Sequence, residues 1–419
     1  MITCTKYQKS IIVLASFVIL VIVSSNGGRS KKQGTNPKVN LFDLNQVEKM
    51  ENAINKIEFE LKKKRFAIEK LKFGIEKKKK ENEKLDMTNE KDKKLFEKAK
   101  IEIEKLEREI SEIEKEKNDQ EKELEKVKRN YNIIKDIVTD EGKIDVVFTW
   151  AGIKKTMSSR NRYNYELQFS LRSVHKYMPW VNKIYTIDQP RQRLPVLDQR
   201  GILWQVVAGL HQIAGLTNKF ILFDDDMFIN QPLTPDYFFT ENDLPRVFQF
   251  SRRMQIYQNN TEFTDIQRPK YKFAKYTHLP TPMRRDFIVR FHQDYPEYLE
   301  LVQSHYKRRY KALSEEFSMI YYEYFREKDW MLQEPLSKGK FYQISHKHPT
   351  DITQQFNRIY IKLTTKDINA FNCNDDFSSN QEIYSKQKKV LWNFYNKLYP
   401  ETPDYEIPNP DHEKYSEFF

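Results

Sequence analysis

The chain has 419 residues, with 72 Lys and Arg against 60 Asp and Glu, a formal net charge of +12. Only 10 Gly excludes a collagen-like or Gly-rich linker protein, and 28 Phe with 24 Tyr supply too much burial for a chain disordered throughout. Two cysteines, Cys4 and Cys373, exclude a disulfide scaffold and a multi-Cys zinc module.

The positive balance suits an acidic partner such as nucleic acid, anionic lipid or a phosphorylated small molecule. The charge is unevenly spread, however, and the chain reads in segments. Residues 1–28 read as a signal peptide or signal anchor. The run 11–23 (IIVLASFVILVIV) has no charge and no Gly; Lys6 and Lys9 precede it and small polar residues follow. A helix of that length rises ~20 Å, short of the ~30 Å hydrocarbon core, so a retained anchor needs its flanks. The expected location is the ER or Golgi membrane, as a single-pass type II protein, if the anchor is retained. If it is cleaved, the protein is luminal or secreted. Asn259-Asn260-Thr261 is a glycosylation sequon that agrees with a luminal domain. Residues 29–44 form a linker.

Residues 45–136 contain no Pro and one Gly, Gly74. Ile54, Leu61, Ile68 and Ile75 recur every seven residues, with Ile57 and Leu71 on the complementary seam. Ile103 with Ile110, Leu106 with Ile113, and then Val127 resume the pattern. Apolar residues at that spacing predict a coiled-coil stalk and a homo-oligomer held through it. Residues 77–80 and 82–84 interrupt the seam. One continuous helix would reach ~140 Å. The basic runs 62–65 and 77–80 read as a solvated helix face, and no nucleic-acid partner is expected.

The composition changes at residue 143, and the chemistry is expected between 143 and 407, with 408–419 a tail. Residues 144–150 (IDVVFTW) predict a strand, 162–177 a helix, 181–187 a second strand, 203–216 a helix and 219–228 a further strand. That alternation predicts an α/β fold, Rossmann-like, with a mostly parallel sheet and flanking helices. Ligands of such sheets bind beyond the carboxyl ends of the strands.

Asp224, Asp225 and Asp226 follow four apolar residues at such an end. Adjacent carboxylates repel unless a cation or hydrogen-bond donors compensate, and their oxygens suit Mg²⁺ or Mn²⁺. The bland alternative is a solvated acidic turn. His278, in a Pro-flanked loop before a predicted helix, suits a general base. Residues 305–309 (HYKRR) form a basic cluster able to grip phosphate. Cys373-Asn374-Asp375-Asp376 follows another predicted strand, 368–371, and Cys373 reads as structural.

Five segments in order resemble the Stealth family of sugar-1-phosphate transferases. They are IDVVFTW (144–150), YELQFSLRSVHKYMPWVNKIY (165–185), GLTNKFILFDDDMFINQPLTPDYFF (215–239), HLPTPM (278–283) with the 304–325 region, and NCNDDFS (372–378) leading to LYPETPDYE (398–406). The resemblance implies transfer of a sugar-1-phosphate, such as N-acetylhexosamine-1-phosphate, from a UDP-sugar to a glycan or glycoprotein hydroxyl, with release of UMP. It implies Asp225, Asp226 and Asp375 at the metal and diphosphate, and His278 as the catalytic base. Arg308 or Arg309 falls on the phosphate-binding position, and Glu166, Arg172 and Asn374 line the donor site. The chain departs from the family pattern at Tyr163, where an acid is usual, and in the short passage 188–210. Two rivals stand beside this reading: a metal-dependent glycosyltransferase that moves the sugar alone, and an inactive coiled-coil scaffold.

Overall fold

The structure is a computed structural model that describes residues 40–150, 164–188, 209–253, 274–276, 278–296, 324–326, 328–335, 338–347 and 351–404. The apolar run 11–23, the sequon, and Arg308 and Arg309 lie outside the described residues. The chain divides into two units, one built on Phe42–Val138 and one on Thr139–Phe419.

The first unit is a pair of helices, α1 (Leu44–Asn82) and α2 (Glu90–Val138). Asp43 opens α1 with a capping box, accepting from the Gln46 backbone at 2.8 Å while Gln46 accepts from the Asp43 backbone at 2.9 Å. The Asp86 carboxylate accepts from both the backbone and the hydroxyl of Thr88, and Asn89 accepts from the Lys91 backbone at 3.0 Å to start α2. The chain therefore turns back on itself at 83–89. Lys64 pairs with Glu116, Lys72 with Glu114 and Lys78 with Glu102, at 2.9, 3.0 and 2.8 Å. As one number rises the other falls, so the helices run antiparallel. Ile68 and Ile75 of α1 pack against Ile103 and Ile110 of α2. The break falls at the interruption of the seam, and α1 alone rises ~58 Å, short of the ~140 Å that one continuous helix would reach. The apolar seam expected to recruit other chains is filled by the chain's own second helix. No helix among the described residues is long and apolar enough to cross a membrane.

The second unit is mixed α/β. Strand β1 (Ile144–Trp150) lies between β2 (Ile184–Asp188) and β3 (Lys219–Asp224), parallel to both, and β7 (Thr281–Arg284) closes the sheet antiparallel to β3. The apolar stretch 146–148 of β1 is buried on both faces. Val147 packs with Phe220 and Phe287 on one side; Val146 and Phe148 pack with Ile221 and Phe223 on the other. Each such side chain contributes about 1.5–3 kcal/mol by leaving water. Helix α3 (Glu166–Tyr177) is the crossover from β1 to β2.

After the acidic turn the chain changes sheets. Strand β4 (Met227–Ile229) pairs antiparallel with β10 (Ala370–Asp376), which runs parallel to β9 (Gly339–Ser345). Helices α5 (Ile352–Thr365) and α6 (Gln381–Leu398) cover this second sheet, and Phe228 stacks on Phe371 and Tyr395 with ring centres 5.0 and 4.6 Å away. A third sheet holds β5 (Arg246–Arg253) between β6 (Ala274–Tyr276) and β8 (Leu332–Pro335). Helix α4 (Arg285–Asp294) follows β7 directly. Among the described residues four of the seven strand pairings are parallel and three antiparallel, so the fold is mixed α/β with parallel strands.

Three predicted boundaries move. Strand β2 begins at Ile184, because Asn182 is used instead to donate to the buried Asp145 carboxylate at 2.8 Å. In the described part of 203–216, Gly209 and Leu210–Gln212 are helical, and the chain reverses at Gly215 with φ of 72°. Residues 201–208 lie outside the described set. The predicted strand 368–371 extends to Asp376, so Cys373, Asn374 and Asp375 lie within β10 rather than after it.

Candidate active site

Asp224 is the last residue of β3, and Asp225 and Asp226 form the turn into β4. The turn therefore bridges the carboxyl end of the parallel β1–β3 pair and the second sheet. It is locked from both sides. Thr149, at the end of β1, donates its hydroxyl to the Asp224 carboxylate at 2.5 Å, and the Cys373 amide of β10 donates to the Asp226 carbonyl at 3.0 Å. Successive side chains leave this turn in different directions, and two acidic groups result.

The first group is Asp224, Asp226 and His278. The His278 Nδ1 lies 3.4 Å from the Asp224 carboxylate, and its Nε2 lies 3.6 Å from that of Asp226. One ligand atom from each residue falls within 4.8 Å of the other two. Burial raises the Asp226 carboxyl to about 6; nearby His278 opposes that rise and Asp224 adds to it. The Asp226 Oδ1 is buried without a hydrogen-bond partner. Asn372 of β10, fully buried, favours the ionised form of Asp226 from beside it, and its amide makes no hydrogen bond of normal geometry. Two carboxylates around an unsatisfied buried oxygen fit a divalent cation with oxygen ligands, and the His278 imidazole stands beside them.

The second group is Glu166, Asp225 and Asp375. Burial raises Glu166 well above the ordinary carboxylate range, and Asp375 and Asp225 raise it further. Asp225 is likewise raised by burial, then by Asp226 and Asp224. Asn164 organises this group. Its side-chain amide nitrogen donates to Asp375 at 2.7 Å, its backbone N–H donates to Glu166 at 2.8 Å, and its side-chain amide oxygen accepts from the Tyr384 hydroxyl at 2.5 Å. Tyr165, in the left-handed region at φ of 69°, turns the chain so that Asn164 and Glu166 serve the same cluster. Lys388 of α6 lies near Glu166; burial lowers its pKa and Glu166 opposes that shift.

The structure thus brings His278 to Asp226, and it is Asp224 rather than Asp225 that shares the imidazole. Asp225 and Asp375 join Glu166 in the adjoining cluster. Asn374 is exposed on β10. Arg172, expected to line the donor site, lies on α3. It is buried, donates to the Tyr399 carbonyl at 3.2 Å and stacks over Phe169, so it ties α3 to the end of α6. Cys373 is buried in the second sheet's core, where burial raises its thiol above the ordinary range. Sequence reasoning missed Thr149, Asn164, Asn372 and Tyr384. Thr149 was open to the strand-end rule, being one residue from the end of β1.

No protein-family model matches the chain. Two exopolysaccharide phosphotransferases of Streptomyces coelicolor are 25% and 24% identical over 58% and 64% of this chain, and 49% and 52% of their own. A capsular polysaccharide phosphotransferase of Haemophilus influenzae is 30% identical over 25% of this chain and 40% of its own. The chain spans about half the length of the Streptomyces relatives. Among solved structures, a glycosyltransferase involved in glycosylation of the major capsid of PBCV-1 aligns with 60% of this chain and 99% of its own, at a TM-score of 0.32 and 12% identity. The resemblance to polysaccharide phosphotransferases read from the five segments is borne out by these named relatives.

Proposed function

We propose that the second unit transfers a sugar-1-phosphate, of the N-acetylhexosamine kind, from a UDP-sugar to a glycan hydroxyl. The observation that carries this reading is the convergence of Asp224, Asp226 and His278 at the carboxyl end of β3. The phosphotransferase names of the relatives supply the reaction class. The acceptor oxygen attacks the phosphorus that bears the sugar. The bond from that phosphorus to the bridging oxygen breaks, and the electron pair leaves on UMP. His278 takes the acceptor proton, oriented by Asp224 through Nδ1. Asp224 and Asp226 would hold Mg²⁺ or Mn²⁺, whose charge would offset that of the pyrophosphate and of the leaving UMP. Glu166, Asp225 and Asp375 stand beside this centre, and in our reading Asn164 and Tyr384 fix their orientation. Arg308 or Arg309 is proposed as the phosphate-gripping cation. The helical pair is read as an intramolecular coiled-coil spacer between a membrane-directed N-terminal segment and the enzyme.

A second reading has one observation in its favour. Asp224 and Asp226 turn to one centre while Asp225 faces another, which is the acid-x-acid geometry suited to moving the sugar alone. Product analysis separates the two. Incubation with UDP-N-acetylglucosamine, a glycan acceptor and Mn²⁺ is expected to yield UMP and a phosphodiester. UDP and a glycoside would establish the second reading, and neither product would favour a scaffold.

A further inference from the structure

Helix α1 carries two apolar stripes on opposite faces. Leu61, Ile68 and Ile75 face α2 and are buried. Phe59, Phe66 and Phe73 also recur every seven residues but are 57%, 69% and 70% exposed. At 3.6 residues per turn the three rings fall within about 40° of arc, roughly opposite the covered seam. Lys62, Lys70, Lys77 and Lys80 lie within about 40° of the central ring and are exposed. Lys63 bends over the Phe59 ring at 4.5 Å. The whole helix holds eleven Lys and one Arg against seven Glu. The outward face thus reads Phe, Lys, Phe, Lys, Phe, Lys, Lys over about 32 Å.

The chemistry of that face selects its occupant. A partner helix needs two apolar rows, at a and d, and here the second row is Lys, so it would find one knob per seven residues. A second copy packed face to face would set Lys62, Lys70 and Lys77 against their own kind. A flat, negatively charged apolar surface meets neither objection. Its phosphates pair with the Lys heads, whose stems lie along the rings, and the rings enter the acyl boundary.

We propose that this face of α1 docks on an anionic bilayer surface, independently of the apolar run 11–23. An environment-sensitive fluorophore at Asn55→Cys, on the same face, reports this in the full chain with Cys4→Ser; Cys373 is buried. On phosphatidylcholine–phosphatidylserine vesicles with brominated acyl chains, emission is expected to be quenched about twofold. In the Phe59→Ser, Phe66→Ser, Phe73→Ser background, with helix content unchanged, the quenching disappears. An unquenched label on the vesicle-bound chain, a chain that does not bind, or quenching that survives the triple substitution overturns the proposal. So does a label that responds to protein concentration without lipid, which assigns the face to a second copy. A label that responds to polyglutamate and not to vesicles assigns it to an acidic protein.

Discussion

Asp226 and Asp286 are both buried acids with raised pKa values, and they behave differently because only one has a cation in contact. Asp286, on the first turn of α4, accepts from the Arg284 guanidinium at 2.5 and 2.9 Å, and both residues are buried. Asp286→Asn leaves a buried guanidinium without its counter-charge. It is expected to cost about 3–5 kcal/mol in denaturant unfolding. Asp226, raised to about 6 chiefly by burial, has Asp224 and the His278 imidazole for neighbours. The folded chain holds its proton more tightly than the unfolded chain does. Its contribution to stability is therefore full below the ordinary carboxylate range and is lost as pH rises through about 6. Asp226→Asn is expected to abolish transfer yet raise stability by about 1–3 kcal/mol at pH 7 and not at pH 4. A variant less stable than wild type at pH 7 would show that Asp226 is compensated in the folded chain. His278→Ala is expected to lower kcat by about 10²–10⁴ and leave donor affinity unchanged. Equal loss of both would make His278 a binding residue.

At the scale of elements, the two buried strands and the helical periodicity were legible because each depends on neighbours in the chain. β1 matches its predicted span, 144–150, since its β-branched and aromatic residues are satisfied in the centre of a sheet. The fold-back of the helical pair was not read, although its signals are present. The seam interruption at 77–84 was visible, but Asp86, Thr88 and Asn89 form a turn and a helix start that a heptad count passes over. Gly74 gives this element a direct test. A Cβ built there meets nothing within 4 Å, and the residue sits inside α1. Gly74→Ala is expected to stabilise the helical unit by about 0.5–1 kcal/mol, read as a shift in its thermal unfolding. An unchanged or lower midpoint would mean that the helix bends or packs at that position.

For the whole molecule, the site holds direct bonds between residues up to 220 positions apart, as in the Asn164–Tyr384 bond. No local rule in the sequence joins α3, the acidic turn, the His278 loop and β10. The five family-like segments named most of the participants, while Asn164 as organiser and Asp224 in place of Asp225 emerged only from the packing. The alternation of side-chain direction through one tight turn decides which acid meets His278, and a change of one residue in register reverses it. The central claim is therefore that Asp224 and Asp226 hold one cation beside the His278 base. Calorimetric titration of Mn²⁺ into the full chain with UDP present, at pH 7.5, tests it most directly. The account predicts saturable binding in the wild type, at least tenfold weaker in Asp226→Asn and in Asp224→Asn. Equal binding in all three chains, or none in the wild type, would contradict it.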